Sequence, residues 1–164
     1  MNISIIVTNY NYEKYLARCL RSLLDQTLPI SKYEIIFVDD CSTDNSRIVA
    51  NLFADNIKTI YLPENVGLAS ATNIGLNNCT GRLIVRVDSD DFVHPNFLET
   101  LVLANDLLGD ENDAYSLDYL EIDSTGNKIA YKSALKDPIA CGIAFKSEVL
   151  LEIGAYKDGM RIFE

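Results

Sequence analysis

Four short β-rich runs, at residues 3–7, 34–38, 57–62 and 82–87, alternate with stretches whose apolar residues return at helical spacing. This alternation leaves few folds open, because successive parallel strands need a crossover, and such crossovers are right-handed. After the first run, Tyr15, Leu16, Cys19, Leu20, Leu23 and Leu24 form one apolar stripe. Arg18, Arg21 and Asp25 fall off it, and Pro29 bars the helix from continuing. Ser42 or Thr43 is placed to cap a second helix carrying Ile48, Val49, Leu52 and Phe53. Gly67 opens a third helix through Leu68, Ala71 and Ile74 that ends by Gly81. Pro95-Asn96 starts a fourth with Phe97, Leu98, Leu101, Val102 and Leu108. The expected class is α/β, a mainly parallel sheet flanked by helices.

The pattern changes after Gly109. Residues 114–122 and 128–131 flank Asp123-Ser124-Thr125-Gly126-Asn127, a hairpin turn, and a short strand near 143–145 and a helix over 146–153 follow. With no linker, repeat or low-complexity tract, residues 1–164 are expected to form one domain. Its nucleotide-type half would span 1–108 and a shorter mixed half 109–164.

The formal net charge of −10 argues against a nucleic-acid partner, since phosphate backbones call for a basic face. The four cysteines make no CxxC pair, so zinc-ribbon and redox-motif readings fail. The start has no basic segment followed by an apolar stretch, and no apolar run approaches ~18 residues. The expectation is a reduced, cytoplasmic protein, with peripheral contact at the inner face of the membrane left open.

The chemistry gathers at expected strand ends. Asp88-Ser89-Asp90-Asp91 puts three carboxylates directly after a buried run, where open α/β sheets place ligands and where mutual repulsion calls for a cation. Asp39-Asp40 follows the second run, and Thr8-Asn9-Tyr10-Asn11 the first. In a parallel sheet these three ends share one edge. Tyr10 offers a stackable ring, and Asp40 can accept from the imide N–H of a pyrimidine. Asp90, with Asp88 nearby, can hold Mg²⁺ or Mn²⁺ on a diphosphate. Plainer roles stand beside these. Asp39 and Asp40 also suit a turn or cap, Tyr10 and Tyr12 suit packing, and His94, the only histidine, suits a loop. No G-x-G, GxxxxGK[ST] or GxSxG motif occurs.

Val7-Thr8-Asn9-Tyr10-Asn11, Phe37-Val38-Asp39-Asp40-Cys41-Ser42-Thr43-Asp44 and Val87-Asp88-Ser89-Asp90-Asp91 resemble three ordered motifs of family 2 glycosyltransferases. Asn65-Val66-Gly67 through Ala71-Thr72-Asn73-Ile74-Gly75 looks like the intervening helix motif, and residues 142–154 are similar to the segment before the acceptor site. The resemblance implies a GT-A fold and an inverting, metal-dependent enzyme. By resemblance, Thr8, Tyr10 and Asp40 contact the base of a nucleoside-diphosphate sugar, most often a UDP-sugar. Asp88 faces the nucleotide and Asp90 ligates the metal in a DxD motif. The acceptor would be a saccharide or glycolipid hydroxyl, and a homo-oligomer is left open.

Three departures from the family pattern stand out. Cys41 replaces the usual glycine, and Thr72 replaces a common arginine. Glu164 matches the glutamate of a Glu-Asp pair whose aspartate is the usual catalytic base, which would be the next residue. Weak or no transfer is therefore expected, with Glu164 as a makeshift base. The alternative reading is a non-catalytic nucleotide-sugar binding module. A sugar nucleotidyltransferase would need a glycine-rich basic loop that residues 8–15 lack.

Overall fold

The computed structural model describes residues 1–156. The strands are β1 (Ile3–Asn9), β2 (Tyr33–Asp39), β3 (Lys58–Tyr61), β4 (Leu83–Asp88), β5 (Ala114–Tyr115), β6 (Tyr119–Ile122), β7 (Lys128–Lys132) and β8 (Ala144–Lys146). The α-helices are α1 (Glu13–Leu24), α2 (Ser46–Asn51), α3 (Leu68–Leu76), α4 (Phe97–Leu108) and α5 (Ser147–Glu152). Six strands form one sheet in the order β3-β2-β1-β4-β8-β5, and β6 and β7 form a separate antiparallel ribbon. The pairs among β1 to β4 are parallel, and those of β8 with β4 and β5 are antiparallel. The chain grows outward from β1 to β3 and then returns to the far side of β1, so a topological switch point lies between β1 and β4.

Both faces of the sheet are covered, which is why its central strands read as continuous apolar runs. Ile3, Ile5 and Val7 of β1, with Ile35, Phe37, Val85 and Val87, pack against Leu16, Cys19, Leu20 and Leu23 of α1 and Leu98, Leu101 and Val102 of α4. The alternate residues Ile6, Ile36, Val38 and Ile84 face Ala71 and Leu76 of α3 and Leu150 of α5. The third helix lies so close that a Cβ at Gly75 would sit 2.6 Å from Ile6 Cγ2 and 3.3 Å from Val38 Cγ2. At the opposite edge from the acidic loops, buried Ser4 donates to Glu34 (2.6 Å) and accepts from the Gly81 amide (2.8 Å).

Two expectations are corrected. The second helix starts at Ser46 and is not capped by Ser42 or Thr43. Those hydroxyls are taken by the loop after β1. Ser42 Oγ accepts from the Asn11 amide and Asn9 Nδ2, both at 3.0 Å, and Thr43 Oγ1 donates to Asn11 Oδ1. Asp44 serves the helix starts instead, accepting from the Ser46 amide at 2.9 Å and, with its other oxygen, from the Glu13 amide of α1 at 2.9 Å. Glu13 in turn accepts from the Asn45 amide at 3.1 Å. The run at 114–122 also divides. Ala114 and Tyr115 extend the main sheet, whereas Tyr119–Ile122 leaves it to pair with β7. Three-residue β8 offers too short an edge to hold the whole run. The hairpin turn forms as expected, with Asp123 accepting from Thr125 and Asn127. Among the described residues, no helix is long and apolar enough to cross a membrane.

Candidate functional site

The parallel register brings the three strand ends together. Thr8 pairs with Val38 on one side and Asp88 on the other, and Asn9 pairs with Asp39. The two aspartates after β2 then part company. Asp39 is fully buried and accepts from Arg47 Nε (2.6 Å), the Ser42 amide (3.2 Å) and Asn9 Nδ2 (3.1 Å). It ties the turn together and has no open face for a ligand.

Asp40 is 4% exposed, and its two oxygens accept from the Val66 amide (2.7 Å) and the Gly67 amide (2.9 Å). These donors precede α3, where an anion satisfies otherwise orphaned amides and suits the helix dipole. Gly67 holds φ at 85°, a conformation that suits glycine and turns the chain into α3 directly after the amide that Asp40 accepts from. Each Asp40 oxygen keeps acceptor capacity for one further donor.

Cys41 follows with φ at 62°, so the backbone takes the left-handed turn a glycine would take. Thr8 is buried, and its Oγ1 has no hydrogen-bond partner among the described residues. Tyr10 is exposed. Thr72 is buried in α3 and bonds the Leu68 carbonyl, leaving no cation at that position.

The β4 end carries the charge. Arg86, only 5% exposed, points from within the strand toward Asp88, with Nε–Oδ1 at 3.2 Å and Nη2–Oδ2 at 3.3 Å. Burial pushes the Asp88 carboxyl above its ordinary range. Arg86 opposes the shift, and Asp91 and Asp90 add to it. The Asp90 carboxyl is also pushed up, by burial and by Asp91, against the pull of Arg18. Carboxylates that raise one another in this way are relieved by a cation.

Asp88, Asp91 and Cys141 bring their ligand-capable atoms within 4.8 Å of one another, a donor set that fits a divalent ion. Asp90 lies outside that trio. Burial and the neighbouring carboxylates push the Cys141 thiol up, and its sulfur accepts from the Asp88 amide at 3.4 Å.

Sequence reasoning missed Arg86 and Cys141, and gave Asp91 a charge in the acidic cluster but no role of its own. Arg86 had a legible signal, being one charge inside an apolar strand run. Cys141, more than fifty positions from Asp88, had none. Glu164, the expected base, lies outside the described residues.

Comparisons with known proteins place this geometry in a wider group. The sequence model "Glycosyl transferase family 2" matches residues 4–149. Glycosyltransferase GlyA of Streptococcus pneumoniae is 42% identical over 101 residues, covering 60% of this chain and 14% of that protein. The crystal structure of S. aureus TarS 1–349 in complex with UDP superposes with a TM-score of 0.81 at 23% identity, covering 95% of this chain and 50% of that one. A mannosyltransferase from Pyrobaculum calidifontis, in complex with GDP-Man and Mn²⁺, gives a TM-score of 0.74 at 23% identity, covering 97% and 48%. The two structural likenesses establish a shared fold. The chain spans 14% of GlyA and about half of each of these solved chains.

Proposed function

The chain belongs to glycosyl transferase family 2 and has a GT-A fold, and from that premise we propose that it binds a nucleoside-diphosphate sugar with Mg²⁺ or Mn²⁺ and serves inverting transfer of the sugar to an acceptor hydroxyl. The observation that carries this reading is the meeting of three strand ends at the switch point. There an exposed aromatic ring, an orphaned hydroxyl and a pre-held carboxylate lie beside mutually repelling aspartates.

Tyr10 stacks on the base, Asp40 uses its remaining lone pairs on a base N–H, and Thr8 Oγ1 finds there the partner it lacks. Asp88, oriented by Arg86, faces the nucleotide. Asp90 ligates the metal, beside the ligand-capable trio of Asp88, Asp91 and Cys141. A bound divalent cation supplies charge to offset that developing on the departing diphosphate. Glu164 stands only as a makeshift base for the acceptor proton. UDP is the favoured nucleotide, supported by the TarS complex, and Mn²⁺ is supported by the mannosyltransferase complex. Residues 1–108 make the donor half and 109–164 contribute to the acceptor half, in a protein assigned to the cytoplasm.

Calorimetric titration with UDP and GDP, with and without Mn²⁺, tests the reading. UDP binding strengthened by Mn²⁺ and lost in Asp90→Ala is expected. Binding indifferent to Mn²⁺, or unchanged in Asp90→Ala, overturns it.

A further inference from the structure

A cavity of about 910 Å³ opens between the start of α1, the loop carrying Asp90 to His94, the first turn of α4 and the β6–β7 ribbon. It shares Asp90, Asp91 and Cys141 with the proposed metal site but none of Thr8, Tyr10, Asp40 or Asp88. Its volume lies within the about 300–1,000 Å³ of pockets that take drug-sized ligands, more than one sugar ring needs.

The lining combines two chemistries. Tyr15, Phe92, Tyr119 and Tyr131 present aromatic surface, and Asp91, Asp118 and Asp123 present carboxylates. Arg18 is the lining's one Lys or Arg among the described residues, and its charge is already engaged. Its guanidinium sits 4.4 Å from the Phe92 ring centroid and 5.9 Å from that of Tyr15, and Nη2 donates to the Asp90 carbonyl at 3.2 Å. Asp118 is fixed in place, accepting from the Tyr131 hydroxyl and, at 2.9 Å, from the Ala134 amide.

Such a wall repels an anionic ligand, and a purely apolar one would desolvate the lone pairs that its carboxylates still hold free. A polyhydroxylated ring satisfies both halves. Its C–H faces lie on the aromatic rings and its hydroxyls donate to the carboxylates.

We propose that this cavity is an acceptor subsite for an uncharged saccharide end, two or more rings long, held next to the Asp90 loop. The proposal rests on the glycosyl-transfer reading above and deepens it. An acidic acceptor is disfavoured by the same carboxylates that favour a neutral one.

Saturation-transfer NMR on the full chain with UDP and Mn²⁺ tests it. The probes are three neutral disaccharides (lactose, cellobiose and N,N′-diacetylchitobiose), two acidic ones (the unsaturated hyaluronan and chondroitin disaccharides) and 1-decanol as an apolar control. At least one neutral disaccharide should receive saturation and the acidic ones should not. That signal should weaken by about tenfold in affinity in Tyr131→Ala and in Phe92→Leu. Amide shift changes in the wild-type protein, confined to residues lining the cavity, keep the test valid if a variant does not fold. Binding of acidic disaccharides alone, of decanol alone, of no probe, or of a neutral disaccharide with shifts elsewhere overturns the assignment. Calorimetry with UDP and Mn²⁺ on the same samples separates the two readings. Intact UDP binding without saccharide binding refutes the subsite only, whereas saccharide binding without UDP binding refutes the transferase reading.

Discussion

Replacing Cys41 by glycine should stabilise the protein. At φ of 62° an L side chain crowds the following carbonyl, at a cost of about 1–2 kcal/mol. Glycine removes that cost but frees the unfolded chain, which returns about 0.5–1 kcal/mol. The Cys41 Sγ contact to the Pro63 carbonyl, at 3.5 Å, is a weak thiol hydrogen bond whose loss subtracts little. The net expectation is a gain of about 0.5–1 kcal/mol. For a chain of this size that raises Tm by roughly 1–4 °C.

Urea denaturation followed by circular dichroism measures the change, with the slope m expected to stay constant. Cys41→Ala is the control, because it removes the thiol while keeping the Cβ that causes the crowding, and it should show no gain. Cys41→Val should fall below both, since a branched Cβ tolerates this conformation least. A Cys41→Gly protein no more stable than Cys41→Ala would refute the assignment of strain to this turn.

Asp40→Ala should cost about 3 kcal/mol or more in denaturation, because two buried amides lose a charged acceptor, and Asp40→Asn about half of that. Gly81→Ala should destabilise more than Gly75→Ala. Its added Cβ would lie 2.5 Å from the Ser4 backbone nitrogen, which cannot move aside, whereas Gly75 presses on a side chain; thermal melts of the pair should show losses of about 3 and about 1 kcal/mol. Because Asp88 and Asp90 have raised folded pKa values, their contribution to the stability of the metal-free protein should fall as pH rises from about 3.9 through those values. Mn²⁺ at a hundred times its Kd should add about 2.7 kcal/mol at neutral pH and much less at pH 4, read as a shift in Tm. The Asp123 carboxyl is held down at about 2, lowered by Thr125 and Asn127. The hairpin turn should therefore keep its amide protection as pH falls through 4 and lose it only near pH 2, in a hydrogen-exchange pH series.

The fold was legible where periodicity was strong. The four runs of the first half became β1 to β4, because burial on both faces leaves little room for any other reading of Ile3 to Val7 or Leu83 to Val87. Helix starts were less legible. Ser42 and Thr43 looked like caps by type, but a residue 31 positions away in the chain claimed the Ser42 hydroxyl. The groups of the candidate donor side could be placed together because they sit at strand ends, whose position a parallel sheet dictates. The partnership of Arg86 with Asp88 required knowing that residues two apart in a strand share a face and that this face is closed. Cys141 and the cavity under the ribbon depend on where residues 116–142 cross the sheet edge, and local pattern carries no trace of that path.

The exchange of caps between Asp44 and Glu13 has a kinetic consequence. The starts of α1 and α2 support each other, since each supplies a carboxylate to an amide at or next to the other's start. The stretch from β1 to α2 should therefore open and close as one cooperative unit rather than element by element. Native-state hydrogen exchange should find the Glu13, Asn45 and Ser46 amides exchanging with a common free energy. The loops around Tyr10 and Asp40 would then be among the parts of the chain that reach their final shape together, before any ligand arrives.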